Sequence, residues 1–555
     1  LKIQKIVIKN FKIYQDLNLE ISQVNNILVG DNGSGKTTLL EAIYMALNGK
    51  LNSLPIDKEI TPSLFNAESR RQYQESVQAG NHSVPPELLI EIYFEDEDLF
   101  AAYKGKNNSL NEDLPGIRLL AKFDSDFTEE YTSRLIEAGS SNGIPIVDIP
   151  TEYYSVSRRY FQSDPVQQRK NPFRAFYIDG TRKSYANYVG RYVYANLGET
   201  MSDDETSKIR TVYESIRQEL KDHEVIRKFN DANQDTLKLA GRKVELSVKD
   251  SLPDDWLQEI TVNVDSFPYD SIGFGLQKMI ELELAVGRSS SSRDGVLLFE
   301  EPENNLSYSN MSKLINVLEA GSQRQKFVST HSSFVANKLG LNNILLCQSG
   351  NIEPLAQLPH DDFAYFQKLP GYNTLRVLLG SKVILVEGPT DELIVNRAYR
   401  DQYGKLPIED GIDVIVVDSL AFKRYLSLAT LIQKSVSVIT DNDGNMDILK
   451  NKYEEYMQDS SMVNFYVEQN TKLNTLEPSM IHANVEKGSL ETLNAVVHEK
   501  SSEMGGSADG ATNTDTLENY MKNHKAEWGL RVFNSSEQVA FPQNIMEAIE
   551  HEHNK

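Results

Sequence analysis

The stretch Gly30-Asp-Asn-Gly33-Ser-Gly35-Lys36-Thr37 limits what this chain can fold into more than any other feature. It stands between an apolar strand pattern, Asn26-Ile-Leu-Val29, and a helical one running from Thr38 to Leu47. Strand, glycine-rich loop and helix together form the setting in which backbone amides cradle phosphates. An α/β fold with that strand buried is therefore expected, and ATP is the expected ligand. Lys36 suits the β- and γ-phosphates and Thr37 suits Mg²⁺. Gly30, Asn32, Gly33, Gly35, Lys36, Thr37 and Thr38 form the predicted contact set.

A nucleotide site also needs acids. Gly295-Val-Leu-Leu-Phe299-Glu300-Glu301 reads as a buried strand that delivers Glu300 to its end, where it can orient magnesium. Glu301 is placed to orient or deprotonate the attacking water. Phe327-Val-Ser-Thr330-His331 ends a further strand pattern, and His331 is the candidate sensor of the γ-phosphate.

Downstream the organisation restarts. Lys382–Val386, Asp413–Val417 and Ser435–Ile439 read as short strands alternating with helices, which implies a mostly parallel sheet. Glu387 follows the first strand, with Asp391 at the opening of a helix. Asp441 and Asp443 follow the third. Carboxylates gathered at strand ends repel one another unless cations intervene, so Mg²⁺ or Mn²⁺ is expected there. Two ions about 4 Å apart would suit phosphodiester hydrolysis.

A chain of 555 residues exceeds one hydrophobic core. The expected division is 1–55 and 266–375 for the nucleotide-binding part, 56–265 for an insertion within it, and 376–555 for the metal-site domain. In the insertion, 204–232 is helical, with an apolar row of Ile209, Val212, Ile216, Leu220 and Ile226. That row is either packed on a core or the face of a protruding arm that pairs two chains. Strands are expected at 243–248 and 259–264, and a loop at 498–517.

The formal charge of −23 argues weakly against a surface that coats DNA by long-range attraction, although a local basic channel with bound metals is compatible with it. Cys347 is the only cysteine, which suits a reducing, cytoplasmic location. No stretch approaches the roughly 18 apolar residues of a membrane span.

The nucleotide motifs resemble the ABC-type ATPase heads of the RecF, Rad50 and SMC group. Ser271-Ile-Gly273-Phe-Gly275-Leu-Gln277 then takes the place of the signature motif, implying ATP contacts from Gly275 and Gln277 in a second subunit. Phe274 replaces the usual signature serine and Glu300 the usual aspartate, which leaves the rate of turnover open. The downstream acids resemble a Toprim domain. The whole order, a head with a large insertion followed by Toprim, resembles the OLD family of ATP-dependent nucleases.

That resemblance implies metal binding by Glu387, Asp391, Asp441 and Asp443, with Glu477 of Thr475-Leu-Glu477 as a further ligand. It also implies a catalytic lysine in Lys522-Asn-His-Lys525, where Lys525 is preferred and Lys522 is second. A DNA endonuclease gated by ATP, serving antiviral defence as a dimer or tetramer, is the expected function. Retron-associated members would add a reverse transcriptase with its DNA–RNA product as partner, and Gabija-type members a helicase-like protein. The alternative is a non-cleaving, ATP-driven clamp on DNA or a partner, with a regulatory Toprim domain.

Overall fold

In a computed structural model, the chain is described apart from residues 22, 52–53, 80–83, 139–147, 168–170, 181–202, 234–237, 240–241, 244, 250–262, 287–294, 305, 321–323, 356–360, 362–364, 367–373, 418–421, 458–461 and 499–512. It divides into two compact units. The first comprises residues 1–26 and 35–330, the second residues 27–34 and 331–555.

The first unit contains an antiparallel sheet in the order Tyr14–Glu20, Ile3–Phe11, Leu88–Phe94, Leu114–Phe123, with Tyr154–Tyr160 also paired to Leu114–Phe123. Strands from the middle of the chain thus complete a sheet begun at the N-terminus. The central Leu88–Phe94 strand is buried along its whole length, including Glu91. A buried carboxylate survives only if it is satisfied. Glu91 accepts from the Ser109 amide at 2.9 Å, the Ser109 hydroxyl at 2.6 Å and the Tyr93 hydroxyl at 2.8 Å.

The same unit holds three parallel strands in the order Ala175–Asp179, Val296–Glu300, Lys326–Ser329. Lys36–Asn48 forms the helix after the glycine-rich loop, and it buries Leu39, Leu40, Ile43, Met45 and Leu47. Asn48 pins the Ala175 end of the outer strand, giving to the Ala175 carbonyl at 2.8 Å and accepting from its amide at 3.0 Å.

The structure refines four readings of the middle region. The helical stretch is two helices, Asp203–Lys221 and Glu224–Ala232, because His223 caps the second by accepting from the Val225 amide at 3.4 Å. Of the apolar row, Val212, Ile216 and Leu220 are 57%, 58% and 53% exposed, while Ile209 and Ile226 are half-buried. Of the expected 243–248 strand, only Arg242–Lys243 pairs, with Lys238–Leu239, and residues 245–249 are irregular and mostly exposed. Among the described residues its alternating pattern pairs with no strand beyond Lys238–Leu239. Of 259–264, Asn263–Val264 forms a small hairpin with Phe267–Pro268, and the remainder lies outside the described residues.

In the second unit, residues 27–29 pair parallel with Ile344–Gln348, which pairs antiparallel with Asn351–Pro354. A four-stranded parallel sheet follows in the order Ile412–Val416, Lys382–Val386, Val436–Ile439, Val463–Tyr466. The last strand was not expected from sequence, since four residues with one asparagine give little periodicity. Helices Pro389–Tyr403, Leu476–Lys487, Leu490–His498, Thr514–Asn523, Lys525–Asn534 and Gln543–Asn554 share a core with this sheet around Trp528, Met480 and Ile394. At the two ends of the expected 498–517 loop, His498 closes one helix and residues 514–517 open another. Asn513 caps a helix starting at Thr514, while 499–512 lie outside the described residues. Among the described residues no helix is long and apolar enough to cross a membrane.

Candidate functional site

The glycine-rich loop owes its course to glycines in two places. A side chain at Gly30 would strike the Cys347 carbonyl. Gly35 takes φ +112° directly before the helix, where an added Cβ would lie 2.6 Å from the Tyr14 hydroxyl. That hydroxyl donates to the Gly35 carbonyl at 2.9 Å. Asn32 and Gly33 are exposed at the tip, Lys36 is buried at the helix start, and Thr37 and Thr38 are half-buried.

Glu300 ends its strand as expected, and Thr37 donates a hydrogen bond to it. A second donor, the Tyr177 hydroxyl, was missed because it lies in the irregular middle of the sequence. The parallel register of Ala175–Asp179 beside Val296–Glu300 brings it there. Burial raises the Glu300 carboxyl above its ordinary range, against the lowering effect of the Thr37 and Tyr177 hydroxyls. Glu301 takes φ +42°, its amide donating to the Ser329 carbonyl at 2.9 Å and its carboxylate accepting from Asn304 at 2.6 Å.

Gly275 lies in the first turn of the helix Phe274–Val286. Gln277 is engaged with its own turn, donating to the Tyr269 carbonyl at 2.7 Å. His331 is exposed just beyond the Lys326–Ser329 strand, and the neighbouring Ser332 caps the helix Ser333–Leu339.

In the second unit the acids gather at the carboxyl ends of adjacent parallel strands. Glu387 follows Lys382–Val386 and accepts from the Thr440 hydroxyl, and from the Asp441 amide at 3.1 Å. Asp391 stands in the first turn of Pro389–Tyr403 and folds back onto the Gly388 amide at 3.0 Å. Glu477, in the first turn of Leu476–Lys487, is buried and accepts from the Thr475 hydroxyl at 2.8 Å. Asp443 is exposed, with φ +49°.

These groups feel one another. Burial, then the Glu387 charge, pushes the Asp391 carboxyl up to about 7. Burial, followed by Asp391, Glu387, Glu477 and Asp443, pushes Asp441 up to about 8. Lys525 lies 3.8 Å from Glu477, whereas Lys522 pairs with Glu518 at 2.6 Å. The helix Lys525–Asn534 is held against Pro389–Tyr403 by Gly529, where a Cβ would come within 2.8 Å of Thr390. Glu468 is a further acid that sequence reasoning missed; it lines a small recess with Asp391 and Asp441.

Among the described residues, no three His, Cys, Asp or Glu side chains already stand together as a metal-holding set. Glu387 and Asp391 are instead held by hydroxyl and amide donors of the protein itself. The donor chemistry still suits a hard divalent ion: the set is all carboxylate, and two members are raised by burial first and by the neighbouring carboxylates second.

A family model described as an AAA ATPase domain matches residues 1–336, more than half of the chain. The chain belongs to this ATPase family. A second model, the Overcoming lysogenization defect protein-like TOPRIM domain, matches residues 378–443, which span Glu387 to Asp443. The architecture is thus an ATPase domain of this family followed by an OLD-like Toprim domain. ATP binding follows from the ATPase family, and the Toprim domain points to nuclease-type chemistry.

The DNA replication and repair protein RecF of Bacillus cytotoxicus is 34% identical over 110 residues, covering 20% of this chain and 26% of that protein. RecF of Enterococcus faecalis is 22% identical over 208 residues, covering 36% and 53%. The chain therefore spans only 26% to 53% of these relatives' length. Among solved structures, the C-terminal region of the Xanthomonas campestris pv. campestris OLD protein is 19% identical, with 32% of this chain and 95% of that one covered and a TM-score of 0.26. An SMC head bound to the C-winged helix domain of ScpA is 15% identical, covering 64% and 97%, with a TM-score of 0.33. The family matches carry the assignment.

Proposed function

We propose that this protein is an ATP-regulated, metal-dependent DNA endonuclease. One observation carries the reading: Asp441 sits half-buried in the combined field of Asp391, Glu387, Glu477 and Asp443, at the strand ends of an OLD-like Toprim domain. Such mutual repulsion is relieved by divalent cations, with Glu387, Asp391, Asp441, Asp443 and Glu477 as their ligands. Mg²⁺ or Mn²⁺ bound there would supply an activated water and charge stabilisation for phosphodiester hydrolysis.

The protein's own groups prepare that site. Thr440 and the Asp441 amide fix Glu387, the Gly388 amide fixes Asp391, and Lys525 brings positive charge beside Glu477, suited to the charge that develops on a phosphate under attack. At the head, Gly30, Asn32, Gly33, Gly35, Lys36, Thr37 and Thr38 hold ATP, and Glu300 orients its magnesium. Glu301 and His331 act on the γ-phosphate, and Gly275 and Gln277 close on it from a second subunit. The exposed apolar row on Asp203–Lys221 supports assembly into a dimer or tetramer. The resemblance to OLD nucleases extends the reading to cytoplasmic antiviral defence, alone or with a reverse transcriptase or helicase-like partner.

The test is incubation with supercoiled plasmid in Mg²⁺ or Mn²⁺, with and without ATP, beside an Asp441→Ala/Asp443→Ala variant. Metal-dependent nicking or linearisation that the variant lacks is the expected result. Cleavage of equal rate in the variant would remove the proposed active site.

A further inference from the structure

Between the two aspartates stands Asn442, which carries no carboxylate of its own. It is 1% exposed, and its amide is fully engaged with backbone. The Nδ2 group donates to the carbonyls of Glu468 at 2.7 Å, Asn470 at 3.1 Å and Leu473 at 3.4 Å, so two hydrogens are shared among three acceptors. Its Oδ1 accepts from the Gly444 amide at 2.8 Å, and its own carbonyl accepts from the Asn445 amide at 2.9 Å. Inside this turn, Asp443 and Gly444 take φ of +49° and +79°. Aspartate is one of the few non-glycine residues that adopt that conformation, and here the Asn442 bonds frame the turn.

The three carbonyls belong to the segment that runs on into Leu476–Lys487, whose first turn carries Glu477. One buried side chain therefore ties the loop bearing Asp441 and Asp443 to the segment bearing Glu477. We propose that Asn442 is a positioning residue that sets the spacing of these three carboxylates for divalent-cation binding. The inference rests on the nuclease reading above. It adds a requirement for the amide that a generic pair of aspartates does not carry.

The test is calorimetric titration of the full chain with Mn²⁺ alone, comparing the parent, Asn442→Ala, Asn442→Asp and Asp441→Ala/Asp443→Ala. The aspartate variant keeps the shape and the acceptor for Gly444 but loses all three donations, and it carries the test should the alanine variant fail to fold. Its added negative charge would by itself tighten cation binding, so weaker binding isolates the loss of the donor. Both Asn442 variants are expected to bind Mn²⁺ about 10- to 100-fold more weakly, as groups that orient metal ligands do. Saturating Mn²⁺ should return plasmid cleavage close to the parent's kcat, since the reacting groups remain. Mn²⁺ affinity unchanged or tighter in both variants, with the parent binding and the double aspartate variant not, overturns the role of Asn442 alone. A parent that binds no Mn²⁺ overturns the metal-site reading and this one together.

Discussion

At the scale of single residues, the acid cluster makes a signed prediction about pH. Asp391 and Asp441 start from an ordinary value of 3.8 and are raised to about 7 and about 8. A carboxyl whose folded value is raised stabilises the fold only while protonated. Its contribution is complete below the unfolded value and is lost as pH climbs through the folded one. Metal-free protein should therefore lose stability from this pair as pH rises from about 4 through about 8. A divalent ion competes with those protons, so its stabilising effect should grow over the same window. Thermal melts in EDTA and in Mn²⁺ would check this: the Mn²⁺-induced rise in Tm should be larger near pH 8.5 than near pH 5.5, since the linked groups titrate between about 7 and 8. Equal increments at both pH values would contradict it.

At the scale of elements, the close crossing of Lys525–Asn534 over Pro389–Tyr403 decides which lysine reaches the acids. Gly529 permits it, with Trp528 buried next to it, and Arg397 fastens the far end by donating to the carbonyls of Val532, Ser535 and Glu537. Gly529→Ala would set a methyl against Thr390 Cγ2 at 2.8 Å and push the helices apart. Overpacking of this kind costs about 1–3 kcal/mol, read by urea unfolding, and should slow cleavage as Lys525 moves from Glu477. Adding Thr390→Ser removes the struck methyl and should restore both. Failure of that rescue would mean that the crossing does not set the lysine.

At the scale of the whole molecule, the exposed row of Val212, Ile216 and Leu220 is apolar surface that an isolated chain has no reason to keep together. Val212→Glu/Ile216→Glu is expected to lower the assembled mass in sedimentation while leaving thermal stability of the subunit unchanged. An unchanged mass would take these helices out of the interface. The chain by itself determined the order of its parts: the loop ending at Lys36, the strand ending at Glu300, and the strand–acid pairs at Glu387 and Asp441. These are local patterns, in which apolar runs of strand length stop at residues whose chemistry is polar, so short-range spacing suffices to read them. Tertiary structure alone decided the supports. Tyr177 reaches Glu300, Thr440 reaches Glu387 and Asn442 reaches Leu473 only because parallel strands and tight turns bring distant positions into register. It also decided that Lys525 rather than Lys522 lies beside Glu477, and that the row on Asp203–Lys221 faces outward. Periodicity records which face of a helix is apolar; what covers that face is settled only by how the rest of the chain packs.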